Sequence, residues 1–324
     1  MKVSFFLPPH YMPSIAKREV WLSGKRVIPE QIGKGDTAEN WIYQTWNSLH
    51  LEGADVQMTD SMPSEGIVVC LAGMLHAGCL PNGRCYMAAV VADGLPHPQA
   101  QLHILQNSAH ARHSPFSVFI PHWPQPNLIP RAPGRGRKFD RVGFFGDPKN
   151  LAAELANPDW QKSLRQQVGV EFVVRWHQHW HDYSDIDAVV AIREFSGSSH
   201  IRKPATKLYN AWLAGVPFIG GTDSAYAADG RAGVDYLVAK TPDEVVAHLR
   251  KLRVEPEWRQ QVVQAGHESG RLFTPEATLK RWRRLVEDEL PARATRLRGT
   301  RAPLRAIRQA LNRAWCLIDL WRPR

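Results

Sequence analysis

Arg202 to Gly221 reads RKPATKLYNAWLAGVPFIGG, and the fold turns on how this stretch is understood. PATKLYNAWLAG has the spacing of a helix and VPFIGG that of a short buried strand. Arg202, Lys203 and Lys207 gather around the helix start, where the backbone dipole is already positive. Basic residues there are disfavoured by roughly 0.3–1 kcal/mol each. The start therefore either gives up some stability or receives an anion. Pro204 suits the first helical position, and Gly197, Ser198 and Ser199 leave a small, open approach to it. Free N–H groups at such a start bind phosphate, and Lys203 and Lys207 would neutralise it. The alternative is that both lysines lie on a solvated face.

Working outward, DAVVAIRE on one side and DYLVA on the other are strands, and PDEVVAHLRKL is a further helix. RVGFFGD, NLAAELANPDWQKSLRQQV and VEFVVRW supply a strand, a helix and a strand before them. The N-terminal part repeats the alternation. KVSFFLPP is a strand, Asp36 or Thr37 can cap a helix over Ala38–Leu51, and Asp55–Thr59 is the next strand. GIVVCLAGM and RCYMAAVVAD are continuous apolar runs, as expected of strands buried on both faces of a parallel sheet. Between the halves, Pro121–Lys138 is rich in Pro, Gly and Arg and cannot continue a helix. The expected fold class is therefore α/β: two Rossmann-like, doubly wound domains facing a cleft. Their expected extents are 1–125 and 139–290, joined by a linker at 126–138 and followed by a basic tail at 291–324.

The chain has 324 residues, 44% hydrophobic and 22% charged, enough to bury two cores. Its formal net charge is +10, but Pro291–Arg324 holds nine Arg and one acid, leaving only +2 on the first 290 residues. That near-neutral body argues against a nucleic-acid groove, and no nucleic-acid partner is expected. Cys70, Cys79, Cys85 and Cys316 form no paired framework, so reduced thiols and a cytoplasmic location are expected. No apolar run approaches the ~18 residues that cross a bilayer.

The quoted segments resemble the GT-B glycosyltransferases. GKGDTAENWIYQTWNSLHLEGADVQM is similar to that fold's glycine-rich loop, first helix and second strand. VGFFGD resembles the opening strand of its donor domain, and KPATKLYNAWLAGVPFIGG, DYLVAKTPDEVVAHLRKL and FTPEATLKRWRRLVEDEL resemble its donor-binding core and closing helices. The resemblance implies a nucleotide-sugar donor held by Lys203, Lys207, Asn210, Arg193 at a strand end and Lys149 after GFFGDP. It implies a saccharide or glycolipid acceptor, no metal and no other cofactor. Many retaining members carry a Glu-x7-Glu motif; aligned on NAWLAGVP, it puts Arg202 and Asn210 at the two glutamate positions. Two other readings stay open: a nucleotide-sugar epimerase on the same fold, and a non-catalytic membrane-associated scaffold.

An inverting transfer needs a base for the acceptor hydroxyl. Asp36, beside Gly33 and Gly35 in the glycine loop, is the first candidate, and a plain helix cap is its alternative role. Asp93 and His97, past a buried strand, come next. Asp185–Asp187 (DID) and His177, His179 and His181 (WHQHWH) look like metal ligands, but their context fits a strand entry and a polar loop better. In the tail, Leu304, Ile307, Leu311, Trp315, Ile318 and Trp321 follow helical spacing, with Arg305, Arg308, Asn312 and Asp319 on the other side. Residues 301–324 are thus expected to form a basic amphipathic helix. It would lie on an anionic membrane surface, making the protein peripheral, or pack on its own domain or a second subunit.

Overall fold

The computed structural model describes residues 1–9, 37–75, 84–176 and 179–322. The chain divides into two compact units, Met1–His122 with Glu276–Arg322 and Trp123–Pro275. Each is built on one parallel sheet.

In the first unit the strands are β1 (Val3–Phe6), β2 (Val56–Thr59), β3 (Gly66–Leu71), β4 (Cys85–Val90), β5 (Leu102–Leu105) and β6 (Ser117–Phe119). Their order across the sheet is β2-β1-β3-β4-β5-β6, all parallel. Every residue of β1, β4 and β5 is buried, which is why these strands appear in the sequence as unbroken apolar runs. A π-helical turn, Glu39–Tyr43, leads into α1 (Gln44–Leu51), and α2 (Ser108–Ala111) follows β5, capped by the Asn107 side chain.

The second unit contains β7 (Arg141–Phe145), β8 (Glu171–Arg175), β9 (Ala188–Ala191), β10 (Phe218–Gly220) and β11 (Leu237–Val238) in the order β11-β10-β9-β7-β8. Its helices are α3 (Ala153–Ala156), α4 (Pro158–Val168), α5 (Thr206–Ala214), α6 (Ser224–Asp229), α7 (Pro242–Val254) and α8 (Pro256–Gly270). Val142, Phe144, Val190 and Ile219 from the strands meet Leu164, Val245 and Leu249 from the helices in one core. The expected helix over PATKLYNAWLAG is present but starts at Thr206, two residues past Pro204, and ends at Gly215 in the left-handed conformation.

The chain then closes through α9 (Pro275–Arg284), α10 (Leu290–Gly299) and α11 (Ala302–Leu320), which from Glu276 onward belong to the first unit. Trp282 is fully buried between Phe5 of β1 and Trp41, with ring centroids 6.2 and 6.4 Å away. Trp315 and Cys316 of α11 join Val68, Met87 and Leu105 in a hydrophobic core. Cys70, Cys85 and Cys316 are buried and in no disulfide among the described residues.

Candidate functional site

In the second sheet β8 lies on one side of β7 and β9 on the other. Successive connections leave such a pair in opposite directions, which opens a crevice beyond its carboxyl ends. Here Arg193 follows β9 directly. Its Nε donates to Asp223 at 3.2 Å and its Nη1 to Asn150 Oδ1 at 3.1 Å, so three strand-end loops are tied together. Asp223 stands at the N-cap position of α6 but does not cap it. Its carboxylate turns to Arg193 instead. Burial pushes the Asp223 carboxyl above the usual range, against the opposing charges of Arg193, His200 and Lys207.

Lys207 reaches the same place from the first turn of α5. Its Nζ lies 5.5 Å from the centroid of the Phe144 ring, within cation–π range. Gly146, just past β7, makes the room. A Cβ there would come within 3.1 Å of Lys207 Cε and 3.3 Å of Nζ, and its φ of +146° is one that side chains rarely adopt. No side chain caps α5, and the hydroxyl of Thr206, its first residue, is buried without a hydrogen-bond partner. An uncapped helix start, an orphaned hydroxyl and a lysine thus converge where an anion would sit.

The loop from Glu194 to Lys203 frames this start. Ser198 O accepts from Thr222 Oγ1 (3.3 Å), Ser199 O accepts from Ser224 N (2.7 Å), and His200 pairs with Glu194 at 3.3 Å. Hydrogen bonding from Ser198 holds the Glu194 carboxyl below its ordinary range. His200 has φ +45°, a left-handed conformation that a non-glycine residue keeps only when its surroundings enforce it.

The structure thus brings Arg193 and Lys207 together. Lys203 sits on the framing loop, its N–H bonded to His200 O (2.8 Å). Lys149 is exposed on the turn after β7, where its N–H is taken by Asp147. Asn210 is engaged inside the fold: it lies buried one turn further along α5, and its Oδ1 accepts from Gln125 N at 2.9 Å. Asp36, Gly33 and Gly35 lie outside the described residues. Asp93 is exposed past β4 and accepts from Gln106 Nε2 at 2.6 Å. His97 is half-buried, its Nδ1 accepting from Gln99 N, and burial lowers its pKa. Asp223, Thr206 and Gly146 went unnoticed in the sequence. The one available signal was for Asp223, which follows a buried strand just as Arg193 does.

A pocket of about 560 Å³ opens at the opposite edge of this sheet, lined by Arg131, Asp187, Glu257 and Arg259 among others. Its charged groups already have partners. Asp187 is held by Arg131 and Arg135, and Arg259 donates to the carbonyls of Leu252 and Arg137. Asp185, at the other end of DID, is bound by Arg141 and Arg175.

Two parallel α/β sheets of this kind give the chain the fold of the GT-B glycosyltransferases. Among solved structures it is similar to sucrose-phosphate synthase from Thermosynechococcus elongatus, with TM-score 0.57 and 11% identity over 90% of this chain and 100% of that one. Anabaena HepE in complex with UDP and glucose gives TM-score 0.52 and 12% identity, again over 90% and 100%. TarM gives TM-score 0.53 and 10% identity over 70% of this chain, which spans 56% of TarM. No family model matches the sequence, and no curated protein matches it.

Proposed function

We propose that this chain is a glycosyltransferase that moves a sugar from a nucleotide-sugar donor to a saccharide or glycolipid acceptor in surface-polysaccharide assembly, in the cytoplasm. One observation carries the reading: Arg193, Lys207 and the uncapped start of α5 converge where the strand order of the second sheet reverses. The donor's diphosphate lies against Lys207 and the Thr206 hydroxyl, with Lys203 and Lys149 at its margin and Arg193 toward the sugar. When the bond from the anomeric carbon to the phosphate oxygen breaks, charge builds on the leaving diphosphate. Fixed cations and helix N–H groups stabilise it without reorganising. These cations do the neutralising, so the reading calls for no metal. The structural neighbours solved with UDP and glucose, or with UDP and GlcNAc, favour a uridine nucleotide.

The first unit receives the acceptor. Asp36 is the proposed base that takes the proton of the acceptor hydroxyl as its oxygen bonds to the anomeric carbon, with Asp93 and His97 as alternates. A second reading, a non-catalytic scaffold, is favoured by Arg202, which is 6% exposed and stands where many retaining members carry a glutamate. A thermal-shift screen with nucleotide sugars separates the two. The transferase reading predicts a selective rise in Tm and, with saccharide acceptors, a glycosylated product; a scaffold gives no selective shift. Conversion of the donor sugar without any acceptor would instead identify an epimerase.

A further inference from the structure

The C-terminal helix α11 docks through a mixed face, with Asn312 and Asp319 buried beside Trp315 and Cys316. Polar side chains of that face bond the protein: Asn312 Nδ2 donates to Ala100 O (3.0 Å), Arg308 Nη2 to Gln101 O (3.0 Å) and Gln309 Nε2 to Gln99 Oε1 (3.0 Å). Asp319 is fully buried against His110 Nε2 at 2.6 Å. These contacts fix the rotation of the helix and leave Leu304, Ile307, Leu311 and Ile318 more than half exposed along one stripe, ending at Trp321, which is 85% exposed. With Leu317 and Leu320, α11 and the residue after it supply seven of the sixteen large hydrophobic residues exposed among the described ones.

The exposed charge of residues 291–322 has one sign. Arg296 and Arg298 on α10, Arg301 between the helices, and Arg305 and Arg313 on α11 are exposed, and the single acid of residues 291–324, Asp319, is buried. Arg305 donates to the backbone carbonyls of Arg298 and Thr300, so its charge meets no carboxylate there. No helix is long and apolar enough to cross a membrane among the described residues. We infer that this face is a docking surface for an anionic lipid bilayer, with the Leu304–Trp321 stripe seated at the headgroup boundary and the arginines against acidic headgroups. A protein partner of this chemistry would need an apolar groove rimmed with acid. A bilayer offers apolar depth and a negative plane at once, which matches a straight stripe with cations along it.

Flotation of the full chain with phosphatidylcholine vesicles, with and without one part in three of phosphatidylglycerol, tests this. The protein should float with the anionic vesicles and remain largely below with the neutral ones, and added salt should release it. Leu311→Ser with Ile318→Ser should abolish flotation without changing the melting temperature, since both side chains are exposed. Arg301→Gln with Arg305→Gln and Arg313→Gln should weaken it by more than tenfold, since each basic residue near an anionic surface contributes roughly fivefold. A wild-type chain that stays below with anionic vesicles overturns the inference, as does equal flotation with neutral ones. So does a dimer by light scattering that the Leu311→Ser, Ile318→Ser pair converts to monomer while vesicle binding is absent, for the stripe then belongs to a second copy.

Discussion

Two buried aspartates stand at opposite edges of the second sheet, and they are held in opposite ways. Asp187, at the amino edge and 1% exposed, accepts six hydrogen bonds from Arg131, Arg135 and the N–H groups of Asp140 and Arg141, between 2.6 and 3.0 Å. Burial alone would raise its pKa, but these donors outweigh burial and hold it below the ordinary value. Asp223, at the carboxyl edge and 3% exposed, has the Nε of Arg193 at 3.2 Å, and burial wins. The first aspartate is a clamp that closes the arginine-rich segment onto the sheet. The second meets a single guanidinium at a longer distance, with His200 and Lys207 also close enough to act on it. The number of donors, more than depth of burial, separates structure from site.

Breaking the clamp should have the largest effect. Asp187→Asn leaves the half-buried Arg131 without its counter-charge and Arg135 with Asp140 alone, and removing one partner of such a buried pair costs about 3–5 kcal/mol. Urea denaturation should show a fall of this size; a loss under 1 kcal/mol would mean that Asp187 is no clamp.

Acid should act on the two units in turn. In the first unit, burial pushes His103 down to about 4. Its pKa is lowered on folding, so the unfolded chain binds more protons and the native state loses stability as pH falls from the unfolded value near 6.5. Complete by about pH 4, the loss amounts to roughly 3 kcal/mol. Asp187 is also depressed, so its contribution is full above the unfolded carboxyl value of about 4 and goes only below it. Denaturation monitored by tryptophan fluorescence between pH 7.5 and 3 should therefore show an early loss that His103→Phe removes and a later one that it leaves. A flat profile from 6.5 to 4.5 would contradict the first step.

The smallest effect is expected at the other aspartate. Its folded pKa is raised above the unfolded value, so the native state gains stability from it as pH falls. Asp223→Asn removes that charge and keeps an oxygen for Arg193, and stability should change by no more than about 1 kcal/mol. A loss as large as that of Asp187→Asn would erase the contrast between the edges.

Much of this was legible in the sequence. The apolar runs at Gly66–Leu71 and Cys85–Val90 announced buried parallel strands, and PATKLYNAWLAG and VPFIGG announced a helix and a strand where α5 and β10 stand. Long-range pairings were not legible. Asp223 lies thirty residues from Arg193, and nothing local marks it as that guanidinium's partner. Helical periodicity gave α11 its two faces but not which would be buried. That choice depends on His110, 209 residues away, which draws Asp319 inward and leaves the leucine stripe outside. The helix start expected at Pro204 comes later, at Thr206, after a turn at Ile201–Arg202 that the Lys203 N–H closes onto His200 O.

Calorimetric titration of UDP into the full chain tests the central claim most directly. Wild type should bind, and Lys207→Ala and Arg193→Ala should each lose about 1.5–3 kcal/mol of affinity, about 10- to 150-fold, while melting within a few degrees of wild type. Unchanged affinity in the double variant, or no binding by the wild type to any nucleoside diphosphate, would contradict the assignment of the anion site to this edge of the sheet.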